Sequence, residues 1–310
     1  MTRALVPQLT LTQSAQKQWQ SLSTLGDLIT PQSKNRQDFL EECRSGKLDG
    51  VIAAYRTFYS ADITGLLDEE LILALPKTWE YLAHCGAGYD QIDVKACSRR
   101  DPPLLVSNVP VAVDDATADT GLFLMLGALR NFNAPMGNLR RGEFRGSTAP
   151  PLGRDPEAKV LGILGMGGIG RNMARKARAA WGMTVIYHNR RQLDESLAEG
   201  AEYVSFDDLL RRSDVLSLNL PLNANTRHLL STREFALMKP TAVLVNTARG
   251  AVVDEAALVH ALDKGIIAGA GLDVFEDEPK IHPGLLSNER VMLLPHLGTY
   301  TFETLVRMIF

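Results

Sequence analysis

The stretch Lys159–Gly170, reading K-V-L-G-I-L-G-M-G-G-I-G, constrains this chain more than any other. Val160–Leu164 is a short apolar run of the kind that makes a buried strand, and Arg171-Asn-Met-Ala-Arg-Lys-Ala-Arg-Ala-Ala continues as a good helix. Between them Gly165, Gly167 and Gly170 set a G-x-G-x-x-G spacing, with Met166, Gly168 and Ile169 in the intervening places. Glycines at this spacing also make ordinary turns. Flanked by a strand and a helix, they form a dinucleotide cradle. The first permits the tight turn, the second lets backbone approach a pyrophosphate, and the third lets the helix pack close to the strand. The helix N-terminus then offers unpaired N–H groups to the phosphates.

Strands and helices alternate on both sides of this unit. Apolar runs at Gly50–Arg56, Tyr81–Cys85 and Leu104–Asn108 predict strands ahead of it. Thr184–His188, Val215–Asn219, Ala242–Asn246, Ala268–Asp273 and Val291–Leu294 predict strands after it. With helices between them, this is an α/β chain of doubly wound parallel sheets, with six or seven strands in its second half. At 310 residues it exceeds what one core usually holds, so two domains are expected. The opening stretch Ala4–Leu11 is a poor strand, because Pro7 removes a ladder donor from its middle. Asp114–Arg130 reads as a long apolar helix, a buried spine joining two domains. Residues 131–157 are rich in Gly, Pro and Arg and have no period, so they read as a loop or excursion suited to an oligomer arm.

A net charge of −3 removes the electrostatic case for nucleic acid or an anionic membrane, and no apolar run is long enough to cross a bilayer. Cys43, Cys85 and Cys97 lack metal-type spacing and read as reduced thiols. The N-terminus lacks a secretory pattern, and Arg3 and Lys17 are too few cations for a transit peptide, so the expected location is cytoplasmic. His84, His188, His228, His260 and His282 fit no ligand cluster, and no metal is expected.

The second strand of the unit carries information about the cofactor. An acidic residue about 20 positions past the glycines holds a ribose 2′-OH, whereas arginine there accommodates a 2′-phosphate. Here Asn189 stands nineteen positions past Gly170, followed by Arg190 and Arg191. With no carboxylate and two guanidiniums, the expectation is NADP(H) over NAD(H).

Three polar residues follow strand ends in the second half: Arg249, Glu278 and His296. Ligands in open α/β sheets bind outside the carboxyl ends of strands, so all three can face one crevice. The runs Asn246-Thr-Ala-Arg-Gly, Gly271-Leu-Asp-Val-Phe-Glu-Asp-Glu-Pro and Pro295-His-Leu-Gly-Thr resemble the signature motifs of the D-isomer-specific 2-hydroxyacid dehydrogenases. Gly86-Ala-Gly-Tyr-Asp, Asn108-Val-Pro and Asn219-Leu-Pro-Leu with Thr226 extend that resemblance over roughly residues 45–303, nearest to the fungal glyoxylate/hydroxypyruvate reductase-like branch.

The resemblance implies two Rossmann-like domains, a flavodoxin-like substrate domain from residues 1–112 with 297–310 and a nucleotide domain from 113–296. It implies reduction of a small 2-keto acid, with His296 as general acid, Glu278 orienting the imidazole, and Arg249 pairing with the substrate carboxylate. Backbone N–H groups of Ala87 and Gly88 would complete the carboxylate cradle. Tyr55 and Arg56, at the end of a first-half strand, are placed either to shape the pocket or to pack the sheet. Cofactor contacts are implied for the glycine loop and Asn189–Arg191, for Leu220, Pro221 and Thr226, for Thr247, Ala248 and Arg249, and for His296 and Gly298. Asp273 is a candidate partner of the nicotinamide amide, and Thr117 a further cofactor contact. A homodimer is also implied. Corepressors that sense nucleotides share this fold and the Arg–Glu–His set, so a binding protein is the alternative from another class. Only Leu297–Phe310 follows His296, so the substrate domain is expected to be trimmed at both ends, leaving a less stable, less active or inactive relative.

Overall fold

In the first part of the chain, short apolar runs between capped helices become a parallel sheet. The computed structural model describes residues 3–5, 21–57, 60–144, 146, 149 and 151–309. The chain divides into two compact units, one from residues 1–113 with 301–310, the other from 114–300. The first unit contains β1 (Arg3–Leu5), β2 (Asp27–Ile29), β3 (Val51–Arg56), β4 (Tyr81–His84) and β5 (Leu105–Ser107). They pair in parallel in the order β2-β1-β3-β4-β5, a doubly wound arrangement. Phe39, Leu40, Leu71, Ile72, Trp79 and Leu82 belong to its core. β1 holds the opening strand position; Pro7 and the rest of that stretch lie outside the described residues.

Helix starts follow their capping side chains. Asn35, Asp68, Asp93, Ser205 and Asp254 each accept a backbone N–H of the first turn. Asp93 therefore starts its helix at Val94.

The second unit contains β6 (Val160–Leu164), β7 (Thr184–His188), β8 (Glu202–Tyr203), β9 (Val215–Leu218), β10 (Val243–Asn246), β11 (Gly269–Leu272) and β12 (Val291–Leu293). All pairs are parallel, in the order β12-β11-β10-β9-β6-β7-β8. The chain winds outward in one direction through β7 and β8 and in the other through β9 to β12. The switch point lies between β6 and β9, at whose carboxyl ends a ligand crevice opens in such sheets. β9, β10 and β11 are buried at every residue, as strands covered on both faces must be. The helix Asp114–Leu129 packs on this sheet at glycine distance: a Cβ on Gly271 would lie 2.8 Å from the Leu124 carbonyl oxygen, and one on Gly127 2.8 Å from Met292 Cγ.

The segment 131–157, read above as loop or excursion, includes a helix at Asn133–Arg140. Pro135 is compatible with it because it falls in the first turn, where backbone N–H groups have no intrahelical acceptor.

Candidate functional site

The turn after β6 is built as the glycine spacing requires. Gly165 has φ +97°, and a Cβ there would lie 2.6 Å from the Asn219 carbonyl oxygen at the end of β9. A Cβ on Gly170 would lie 2.6 Å from the Gly165 carbonyl oxygen, so the third glycine sets how closely the helix Gly168–Trp181 approaches its strand. Gly167 faces open space and caps that helix without a side-chain acceptor. Gly168 has a reason the sequence did not disclose: a Cβ there would run into the Asp114 carboxylate. Burial holds the Asp114 carboxyl above its ordinary range, against the opposing pull of Arg171.

Asn189 Oδ1 accepts the Met166 N–H at 2.7 Å, tying the glycine loop to the end of β7. Arg190 and Arg191, next along, are exposed, and neither makes an ion pair among the described residues. Leu220 lies against the loop on the other side, with Cδ2 3.0 Å from the Cβ position of Gly165. The Thr226 hydroxyl donates to the Pro221 carbonyl at 2.7 Å and accepts from the Asn223 N–H at 2.9 Å, so it shapes the turn after Leu220–Pro221. Thr117 Oγ1 and Asn219 Oδ1 are buried with no hydrogen-bond partner among the described residues. A bare helix N-terminus, open space at Gly167 and two orphaned polar atoms fit a bound dinucleotide.

Arg249 follows β10, Glu278 the turn beyond β11, and His296 the end of β12. Gly250 lets the first two loops touch: a Cβ there would overlap the Phe275 backbone. Phe275 N–H donates to Glu278 Oε1 at 3.0 Å, and the other carboxylate oxygen accepts from His296 Nδ1 at 2.8 Å. Because a carboxylate only accepts, Nδ1 carries the proton of this pair. Asn246 braces the Arg249 turn, donating to the Arg249 carbonyl at 2.9 Å and accepting from Ala248 N–H at 3.0 Å. Thr247 is buried and Ala248 half-buried beside it.

His296 sits in the left-handed region, φ +57°, an unusual conformation for a residue with a side chain. Asp273 sustains it: the His296 N–H donates to the Asp273 carbonyl at 2.7 Å, and the two carboxylate oxygens accept from Leu297 N–H at 2.7 Å and Gly298 N–H at 2.8 Å. In the structure Asp273 thus clamps the histidine loop, and burial raises its carboxyl above the ordinary range.

Burial pushes the Glu278 carboxyl up, but the hydrogen bond and charge of His296, the Phe275 N–H and the charge of Arg249 outweigh it and hold the group below its ordinary range. A depressed carboxyl adds stability above its unfolded-state value, which is lost as pH falls through the lowered folded-state value. The stability gap between wild type and Glu278→Gln should therefore shrink as denaturation is measured at progressively lower pH through the acid range. A constant gap would show that the charge contributes nothing.

In the first unit, Ala87 and Gly88 lie in the loop after β4. Their carbonyls are taken, by Asn108 Nδ2 at 2.8 Å and by His84 Nε2 at 2.8 Å, while their N–H groups have no partner among the described residues. Arg56 is buried at 3% exposure and donates to Gln91 Oε1 at 2.8 Å; Tyr55 OH donates to the Met308 carbonyl at 3.4 Å. Sequence reasoning gave His84, Asp114 and Gly250 no role at the site, because Asp114 meets Gly168, Gly250 meets Phe275 and His84 meets Arg56 only through contacts distant in the chain. Among the described residues no group of His, Cys, Asp or Glu is placed to hold a metal, and no helix is long and apolar enough to cross a membrane.

Residues 122–298 match the model of the D-isomer specific 2-hydroxyacid dehydrogenase NAD binding domain. The chain is 54% identical to 4-methyl-2-oxopentanoate reductase A of Aspergillus oryzae, over 94% of this chain and 87% of that protein. A crystal structure of a glyoxylate reductase from Paecilomyes thermophila superposes with a TM-score of 0.93 at 52% identity, covering 99% of this chain and 92% of that one. The NADPH-dependent glyoxylate/hydroxypyruvate reductase of Sinorhizobium meliloti, crystallised with NADP and malonate, superposes at 0.84 with 30% identity, covering 99% and 90%. With the glycine cradle at the switch point and the Arg249, Glu278 and His296 loops at the strand ends, these likenesses make the chain a member of the D-isomer specific 2-hydroxyacid dehydrogenase family.

Proposed function

We propose that this protein interconverts small 2-keto acids and D-2-hydroxy acids by hydride transfer, with NADP(H) preferred over NAD(H). The observation that carries the reading is the 2.8 Å His296–Glu278 hydrogen bond, with Arg249 close enough for its charge to act on the same carboxylate. A bound nicotinamide supplies the hydride. Arg249 pairs with the substrate carboxylate and polarises the keto oxygen. His296, its Nδ1–H held by Glu278, delivers a proton from Nε2 to the oxygen as it gains charge, and takes it back in the oxidation direction. Glu278 fixes the tautomer and stabilises the imidazolium. Ala87 and Gly88 offer their unpartnered N–H groups to the substrate carboxylate, which makes residues 1–113 with 301–310 the substrate-binding unit. Thr117, Thr247, Ala248 and Gly298 border the cofactor, and Asp273 keeps further lone pairs for its amide.

Three further readings belong to this proposal. Arg190 and Arg191 clamp the 2′-phosphate: they make no ion pair among the described residues, and Asn189, where an acid would repel a phosphate, is engaged with Met166. Replacing both arginines by alanine should weaken NADPH binding at least tenfold and leave NADH nearly unchanged; equal losses for the two cofactors would overturn the assignment. Exposed Met136, Leu139 and Leu152 support the 131–157 arm as a homodimer contact. The three free cysteines favour a reducing, cytoplasmic location.

Oxidation of NADPH with glyoxylate, hydroxypyruvate and 4-methyl-2-oxopentanoate tests the main reading. Turnover with at least one supports it. Cofactor binding without turnover of any of them would point instead to an inactive relative or a nucleotide-sensing binding protein.

A further inference from the structure

The geometry points to His84 as a positioning residue that presets the loop receiving the substrate carboxylate. This rests on the role proposed above for Ala87 and Gly88. Three successive carbonyls of that loop are held. Val109 N–H donates to the Gly86 carbonyl at 3.0 Å, Asn108 Nδ2 to the Ala87 carbonyl at 2.8 Å, and His84 Nε2 to the Gly88 carbonyl at 2.8 Å. The Gly86 and Ala87 carbonyls lie in the same peptide planes as the Ala87 and Gly88 N–H groups, so Val109 and Asn108 aim those donors, which have no partner among the described residues. His84 fixes the next plane, Gly88–Tyr89, that ends the cradle.

Two partners of His84 place its proton. Arg56 Nη1 approaches Nδ1 at 3.3 Å and can only donate, so Nδ1 accepts. The Gly88 carbonyl can only accept, so Nε2 carries the hydrogen. His84 is therefore a neutral Nε2–H imidazole whose tautomer is selected by a buried cation. Arg56 is itself fixed by Gln91; burial pulls its guanidinium below the ordinary range, and the charge of Asp90 opposes that pull. The ring is buried at 5% exposure, and a Cβ on Gly86 would lie 3.3 Å from Nε2, so the space beside the bond is filled only by glycine backbone. A second proton on His84 would confront the Arg56 guanidinium and remove its acceptor.

His84→Leu and His84→Gln test this. Leucine fills the space with neither donor nor acceptor, whereas a glutamine amide carries one of each. His84→Leu should raise KM for glyoxylate and the dissociation constant of oxamate, a carboxylate analogue, about tenfold, the equivalent of one lost hydrogen bond. Its kcat and NADPH affinity should stay within about threefold of wild type, and His84→Gln should recover most of the loss. A folded His84→Leu with wild-type KM and oxamate affinity would overturn the inference, as would equal defects in both folded variants. Should His84→Leu fail to fold, the imidazole ¹⁵N shifts of the wild-type protein decide. A neutral Nε2–H ring near pH 7 is expected, and an Nδ1–H ring or an imidazolium refutes the arrangement. Absence of turnover in the wild-type protein with every keto acid would sink the proposed reaction instead, without touching the ¹⁵N result.

Discussion

His296→Ala should lower kcat/KM for glyoxylate by roughly 10² to 10⁴ while NADPH binding stays near wild type. That range is what a positioned general acid typically contributes. The local architecture makes this the largest kinetic effect expected for a single side chain. The ring is tethered to Glu278 at 2.8 Å, its backbone is held at φ +57° by Asp273, and no other imidazole is hydrogen-bonded to Glu278 among the described residues. Steady-state rates with NADPH and glyoxylate, set beside NADPH binding by fluorescence, separate loss of chemistry from loss of binding. Turnover within about tenfold of wild type would take proton transfer away from His296.

The largest stability effect is expected at a residue without a side chain. Gly250→Ala would push a methyl group into the Phe275 backbone, where no side chain can rotate aside. The loops carrying Arg249 and Glu278 would have to separate. A cost of about 3 kcal/mol or more follows for overpacking that only backbone movement relieves. In a unit of this size that lowers the melting midpoint by roughly 6–12 °C. Gly265→Ala is the natural control. Gly265 has positive φ, +67°, but a Cβ there meets open space, so only the conformational penalty of about 1 kcal/mol is expected. Thermal melts of the two variants decide the matter: equal midpoints would mean that the contact with Phe275 is soft. Because the displaced loops bear Arg249 and Glu278, Gly250→Ala should also raise KM, and Gly265→Ala should not.

Much of the second unit could be read from residue order because its central strands are covered on both faces. Such strands appear as unbroken apolar runs, which is why β6, β9, β10, β11 and β12 stand out. β2 and β8 did not, since Asp27–Ile29 and Glu202–Tyr203 are edge strands of two or three residues that carry polar side chains. The helix Asn133–Arg140 was missed for a related reason: it buries no residue and contains Pro135 and Gly137, so it has neither an apolar stripe nor good propensity to mark it. Thr226, expected at the cofactor from its motif, has its hydroxyl engaged in its own turn.

The amino-acid order alone determined the α/β class and the glycine cradle, both written in local terms of period, turn chemistry and spacing. The Arg249, Glu278 and His296 set was instead named through the resemblance of three runs to a family's motifs. Only the tertiary structure decided how the set is held. Gly250 against Phe275, Asp273 clamping the histidine loop, Asn189 tied to Met166 and His84 against Arg56 all join a residue to a group or loop that folding brings close. Contacts of this kind leave no period in a sequence. A hydrogen bond or a missing Cβ has meaning only once its partner's position is known.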